Sequence, residues 1–496
     1  MKAVRFITGL ICFFFLLTAI NCTSPQSKTY VVVTFDVEDY TTPASEGLDE
    51  IPKWLAEIMS EEGVTGTFFV IGEKARSLEN RGRQDVIGAM AQHDIGSHTN
   101  FGSIHPTVTE QLEKEGWGNG VVLMQEQESA GVQELTRIFG VPVTSLARHG
   151  GSYGPQLIAA LGQMHAGYVG SPVTLPGRNV VWFCNALNFS GQYDSFDNAY
   201  YRDDLFDPLM EKIEVEFPRI IQSVDAISLF AGHPCKIRTE QFWDFNFYYG
   251  ANPKPEDWKS PELRPLESME TAQKNFRRLM RFLKEQDGIE ITTFRDLMRI
   301  YSFQRGSISR KELASLADKT VKKGSIPFSD FFSPAEIFYA LAESIDDYRN
   351  IGTLPNDVKL KRPFGPMEMP ESSTKIDKVT IEEVHRLAGE AKNYIDKFDS
   401  LPAHLEVRTF PIGTGSLLAL FSTVYLDLNT KTHSTEYKVS SFESYPESIC
   451  ETIIQGIKGY KSWPVHRRDL NMDNIIELTK TQLWTLKPAH RGPDTR

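Results

Sequence analysis

The chain reads as an α/β protein whose first part (28–304) forms a parallel sheet or barrel and whose second part (308–496) is mainly helical. Three observations carry this. Short apolar runs alternate with stretches of helical periodicity over the first part, which is the pattern of parallel βα units. Asp36, His98, Arg148 and His233 each follow an apolar run, and α/β folds carry their chemistry at the carboxyl ends of strands. Beyond residue 305 the apolar spacing is almost entirely helical.

Each element follows in order. VVVTFDV, starting at Val31, is a buried strand running into three carboxylates, Asp36, Glu38 and Asp39. Clustered acids at a strand end are either solvated or held by a cation, because unpaired buried charge is costly. Ile51, Leu55, Ile58 and Met59 recur at helical spacing, with Pro52 suited to a first turn and Gly63 to a stop. Val64 to Gly72 is a second strand, Asp85 to Gln92 a helix, and HDIGSH a third strand ending at His98. Helix is expected over Val121 to Phe139 and Pro155 to Met164, on either side of VTSLARHGG, and GYVGS follows as a strand. DAISLFAGHP places His233 at another strand end.

At 496 residues two or three domains are expected, and 41% hydrophobic with 24% charged residues is a globular composition. The net charge of −12 argues against nucleic acid as a partner. Lys2 and Arg5 precede an apolar run from Phe6 to Ile20, too short to span a bilayer, so residues 1–22 are expected to be a secretion signal. Cys22 ends that run as in a lipoprotein processing site, although Ile20 and Asn21 replace the usual small residues. Export to the periplasm, exterior or cell envelope is the expectation, with a lipid anchor at Cys22 as its membrane attachment. Cys12, Cys22, Cys184, Cys235 and Cys450 include no CxxC pair. Cys184 and Cys235 are expected as buried thiols, a bridge between them being the alternative.

A carboxylate with two imidazoles is a common facial set for zinc or another divalent metal. Such an ion activates water and polarises a carbonyl, while a second carboxylate takes a proton and an opposing histidine gives one. Asp36, Glu38, His98, His105 and His233 supply these parts, and Arg148 is placed to hold the base ionised.

Over roughly Lys28 to Tyr301 the chain resembles the NodB-type polysaccharide deacetylases. The motifs are TFDVED, TGTFFVIG, HDIGSHT, RHGGSYG and LFAGHP in that order, closed by FRRLMRFLKEQDGIEITTF. The resemblance implies a distorted (β/α) barrel, one catalytic metal, usually zinc, and removal of N- or O-acetyl groups from a glycan. It implies Asp36 as catalytic base, Glu38 or Asp39 as metal carboxylate, and His98 as the first metal histidine. Arg148 would pair with the base, the backbone N–H of Tyr153 would help stabilise the oxyanion, and His233 would protonate the leaving group. Family members usually have a second histidine four residues after the first, where this chain has Gly102. His105 is the expected substitute, reached by a loop that Gly102 permits and Pro106 encourages; His149 reads as a loop residue and becomes the replacement should His105 fail. Two alternatives stand beside the deacetylase: a silent glycan-binding or surface protein on the same fold, and a hydrolase of a small non-peptide amide.

The acidic positions Asp194, Asp197, Asp203 and Asp204 read as a solvated loop, and FWDFNFYYG (242–250) either stacks on sugar rings or packs on the barrel rim. In the second part, helices are expected over Arg310 to Lys322, Pro334 to Tyr348, Ile381 to Phe398 and Gly415 to Leu426. LPNDVKLKRP and LPAHLEVRTF suggest a degenerate tandem unit, distantly similar to helical cell-wall-binding repeats. Cell-wall or glycan attachment and a structural or partner-binding role are both open for it.

Overall fold

A computed structural model describes residues 28–193, 196–372, 374–432 and 434–493. The expected secretion signal with Cys12 and Cys22, together with Asp194 and His433, lies outside the described residues. Among the described residues no helix is long and apolar enough to cross a membrane.

Among the described residues, ten strands build the first part: β1 (Thr29–Val37), β2 (Gly66–Val70), β3 (Asp94–Ser97), β4 (Ser145–Ala147), β5 (Gly167–Val169), β6 (Val180–Phe183), β7 (Ala186–Phe189), β8 (Gln192–Tyr193), β9 (Ala226–Gly232) and β10 (Ile289–Ile291). They form one curled, open sheet in the order β6-β7-β5-β4-β3-β2-β1-β9-β8, with β10 beside the start of β1. All neighbours are parallel except the β6–β7 hairpin. The expected α/β architecture, a distorted parallel barrel followed by helices, is therefore what the chain forms, as a half-barrel. The β6–β7 hairpin and the helices Gly72–Asn80 and Asp203–Ile220 were not foreseen from periodicity. Asp203–Ile220 contains Pro208 and Pro218, which argue against helix locally and are overridden by packing of Phe206, Met210, Ile213 and Phe217.

Strand β1 shows how the sheet aims its chemistry. Side chains alternate across a strand, so Val31, Val33, Phe35 and Val37 share one face and join the core beneath the helices Glu50–Glu62 and Glu267–Lys284. Phe35 packs 5.3 Å from Phe68 and 5.5 Å from Phe276, ring centre to ring centre. Burying each such side chain contributes about 1.5–3 kcal/mol. Tyr30 and Val32 take the opposite face, within the curl of the sheet, and the same period carries Thr34, Asp36 and Glu38 to that side. A register shift against β9 falls between Thr34 and Phe35, one residue ahead of Asp36.

The second part forms helices Arg310–Lys323, Pro334–Ile351, Ile381–Phe398 and Thr414–Thr430 over a core of their own. Two blocks of this part are each closed by an antiparallel strand pair, while the strings LPNDVKLKRP and LPAHLEVRTF fall in unlike pairings, the second in a hairpin of His404–Val407 with Phe410–Gly413. Ser307–Ser309 pairs antiparallel with Asp357–Lys359, and Lys378–Thr380 with Glu436–Lys438. Each block opens on a capped helix, Ser309 with Glu312 and Thr380 with Glu383. Two further helices, Cys450–Tyr460 and Asp473–Gln482, return to the half-barrel. Their Ile453, Ile454, Ile457, Ile475 and Leu478 share a core with Leu157 and Ile158, and Lys487–Pro488 adds a last antiparallel strand to β6. Cys184, Cys235 and Cys450 are buried free thiols.

Candidate metal centre

Four strand ends converge. Asp36 and Glu38 come from β1, His98 follows β3, His149 lies one residue past Arg148 after β4, and His233 follows β9. Glu38 is the hub. Its Oε1 lies 2.8 Å from His98 Nε2, 3.1 Å from His149 Nδ1 and 3.7 Å from His233 Nε2. Its Oε2 accepts a 2.8 Å hydrogen bond from Trp243 Nε1. Asp36 Oδ2 stands 3.6 Å from His98 Nε2 and 3.8 Å from His233 Nε2.

The charge states follow from this packing. Burial works against a charge on Glu38, yet the neighbouring His149 and His233, with hydrogen bonds from His149 and His98, hold its carboxyl well below the usual range. Burial pushes the Asp36 carboxyl up, and the charges of His98 and His233 only partly offset it. Burial also depresses His149, which favours the neutral, ligating imidazole. On His233 burial is outweighed by the carboxylates of Asp197, Glu38 and Asp36, which lift it to about 10. Asp197 lies 2.5 Å from His233 Nδ1 and also accepts from the His233 backbone N–H, so Nε2 faces the cluster.

The donor set fits a divalent cation. Two ligands bonded at about 2.1 Å to one ion lie about 3 Å apart, the spacing found between Glu38 and the two imidazoles. Glu38, His98 and His149 offer atoms within 4.8 Å of one another, as do Asp36, Glu38 and His233. Ser103 Oγ, 3.0 Å from His149 Nε2, orients that ring so that Nδ1 meets the carboxylate.

Several sequence expectations are corrected here. His105 is not in the cluster: its Nδ1 is 2.7 Å from Glu110 and its Nε2 2.9 Å from the Phe247 carbonyl, so both ring nitrogens are engaged elsewhere. His149, a ligand in the sequence reading only should His105 fail, lies in the cluster in its place. Asp39 is not a ligand either, because the β1 alternation turns it from the cluster and Thr41 and Thr42 hydrogen-bond its carboxylate. Arg148 forms no ion pair with Asp36 among the described residues. Its Nε donates to the Gly170 carbonyl, and its guanidinium lies 4.3 Å over the Tyr460 ring. The Tyr153 N–H donates 2.8 Å to Thr109 Oγ1 and is not free for an oxyanion. Asp36, Glu38, His98 and His233 come together at the strand ends.

Asp197, Trp243 and Ser103 were missed as site residues. Asp197 was read as part of a solvated loop, Trp243 only as part of the aromatic segment 242–250, and a single Ser carries no spacing signal. Two cavities open on the cluster and share Gly150 and His233. One, of about 220 Å³, reaches Asp36, Arg148 and Gln192; the other, of about 380 Å³, reaches Glu38, Phe242 and Trp463.

No family model matches this chain, and no curated protein matches it. Solved structures do. A Mycobacterium smegmatis protein described as a polysaccharide deacetylase is 15% identical with a TM-score of 0.36, over 55% of this chain and 91% of its own. The wild-type BA3943 pseudoenzyme of the CE4 family, from Bacillus anthracis, is 13% identical with a TM-score of 0.32, over 55% and 66%. Puue allantoinase is 12% identical with a TM-score of 0.37, over 56% and 91%. What fold and site define by themselves is an α/β half-barrel with a carboxylate–imidazole cluster at the carboxyl ends of its strands.

Proposed function

We propose that this protein is an exported, metal-dependent hydrolase that removes acetyl groups from a glycan. The observation that supports it most is the gathering of Asp36, Glu38, His98, His149 and His233 from four strand ends onto one point beside two cavities. Glu38, His98 and His149 would hold the ion. When bound, a divalent cation, zinc in the family that the motifs resemble, supplies Lewis acidity to the acetyl carbonyl and to the attacking water.

The remaining work belongs to the chain's own side chains. Asp36, beside the ion ligands and facing the smaller cavity, takes the proton of the attacking water. His233 Nε2, oriented by Asp197 through Nδ1, gives a proton to the departing nitrogen or oxygen. Trp243 keeps Glu38 aimed at the two imidazoles.

The test is acetate release by the full chain from acetylated chitin oligomers, acetylated xylan and small amides, with and without a chelator. Release that is chelator-sensitive and lost in Asp36→Asn and His233→Ala supports the reading. Release from small amides alone moves the substrate to that class, and no release from any of them leaves the glycan-binding alternative.

A further inference from the structure

The loop that carries His149, from Arg148 to Gly151, is closed from behind by a stretch near the other end of the chain, Tyr460 to Arg467. The two meet at every residue of the loop. The Arg148 guanidinium lies 4.3 Å over the Tyr460 ring. The His149 and Trp463 rings meet edge to face, 5.1 Å apart at 87°. A Cβ on Gly150 would overlap the Trp463 indole, and one on Gly151 would stand 2.5 Å from the Tyr460 carbonyl oxygen and 2.7 Å from the His466 ring. Gly150 also has a φ of +50°, so both glycines are needed for the stretch to approach this closely.

The stretch is itself fixed. The N–H groups of Tyr249 and Gly250 donate to the carbonyls of Pro464 and Val465 at 2.8 and 3.1 Å. Val465 is fully buried beside Trp243 and Phe247, and the Arg467 N–H donates 2.8 Å to Glu110. What this does for His149 follows from its two ring nitrogens. Nδ1 is aligned on Glu38 and Nε2 on Ser103, which fixes the axis between them. Neither bond stops the side chain from leaving for another rotamer, and the cavity of about 380 Å³ that His149 lines is the space it would enter. Trp463 lines the same cavity and packs on the ring there. With His98 in edge contact as well, at 4.8 Å, the His149 residue is 1% exposed.

We infer that Trp463 is a positioning residue of the candidate metal centre: it blocks the space into which His149 would withdraw, so the metal affinity of the half-barrel is set partly by the carboxyl-terminal stretch. This rests on the metal-dependent function proposed above, and two readouts on the full chain separate them. Zinc affinity, read by competition with a chromophoric chelator, is expected to fall about tenfold or more in Trp463→Ala and to return to within about threefold of the unmutated value in Trp463→Phe, which keeps a flat ring. Ile457→Ala, which opens the core shared with Leu157 and Ile158, is expected to lower Tm and leave zinc affinity unchanged. Without metal, diethyl pyrocarbonate labelling located by mass spectrometry is expected to spare His149 in the unmutated chain and in Trp463→Phe, and to modify it in Trp463→Ala. Trp463→Leu, which keeps apolar bulk but no ring edge, carries both readouts with a smaller loss should Trp463→Ala unfold. Unchanged affinity and labelling in the variant that folds, or an equal loss of affinity in Ile457→Ala, overturns the inference. Zinc held as tightly by Trp463→Ala as by the unmutated chain keeps the metal reading and removes the positioning role. No zinc on the unmutated chain, with His149 newly labelled in Trp463→Ala, removes the metal reading and keeps Trp463 as the residue that holds the ring.

Discussion

The loops after β3 and β4 each carry a histidine that the sequence offers to the metal, and they use it differently. In the first, the chain turns through Thr99 at φ +66° and Gly102 at φ +60°, and Gly102 lies under Ile71 with no room for a side chain. His105 is then spent on a clamp: it pairs with Glu110, whose other oxygen accepts from Arg467 and so ties the carboxyl-terminal segment down. In the second loop, His149 turns to Glu38, and the glycines behind it admit Trp463. One histidine belongs to the candidate metal site and the other to the architecture around it. Ligand identity is decided by which imidazole reaches Glu38, not by which is nearer His98 in sequence.

The largest effect expected from this division is on turnover. His149→Ala should lower acetate release by more than about 100-fold, since even outer partners of metal ligands are worth ~10–100-fold. His105→Ala should leave activity within about tenfold of the unmutated chain. Equal losses in both would erase the distinction. Next, Ser103→Ala releases the ring nitrogen that orients His149 and is expected to weaken metal affinity by about 10–100-fold, read by competition with a chelator.

Smaller effects concern stability. Gly102→His, which restores the motif of the resembled family, should not gain a ligand. Its φ of +60° and the overlap with Ile71 are expected to cost about 1–3 kcal/mol, seen as a lower Tm with no gain in activity. The clamp should show a pH signature. Burial opposes its charge, but bonds from His105 and from the Arg467 and Thr107 N–H groups bring Glu110 down to about 2, so its contribution is present above about pH 4.5 and lost as pH falls toward 2. Against its own burial, His105 is raised above 6.5 by Glu110 and the Phe247 carbonyl, so its share is full below 6.5 and lost as pH rises through the folded value. Glu110→Gln is therefore expected to cost on the order of 1–2 kcal/mol near pH 6 and almost nothing near pH 2, measured as paired Tm values. A Tm difference that persists at pH 2 would assign the effect to packing instead.

Much of this was legible in the sequence because strand ends announce themselves: an apolar run followed by Asp36, His98 or His233 fixes both element and direction. Glu38 and Asp39 were left open, and it is the observed β1 strand that separates them, since Glu38 meets His98 while Asp39 is bonded by Thr41 and Thr42. What was not legible depends on contacts between distant stretches. Arg148 was expected on Asp36, and nothing local tells that Tyr460, from the other part of the chain, offers its ring instead. Asp197 looks like any loop acid until β9 brings His233 onto it. The helices Cys450–Tyr460 and Asp473–Gln482 were missed because the second part was read as separate, whereas their apolar faces are completed by the helix Pro155–Gln163.

The most direct measurement is the metal content of the purified full chain by elemental analysis, taken beside His98→Ala, His149→Ala and His105→Ala. The account predicts one divalent ion per chain, lost with His98 or His149 and retained without His105. Retention in His149→Ala with loss in His105→Ala, or no bound metal in the unmutated chain, would contradict it.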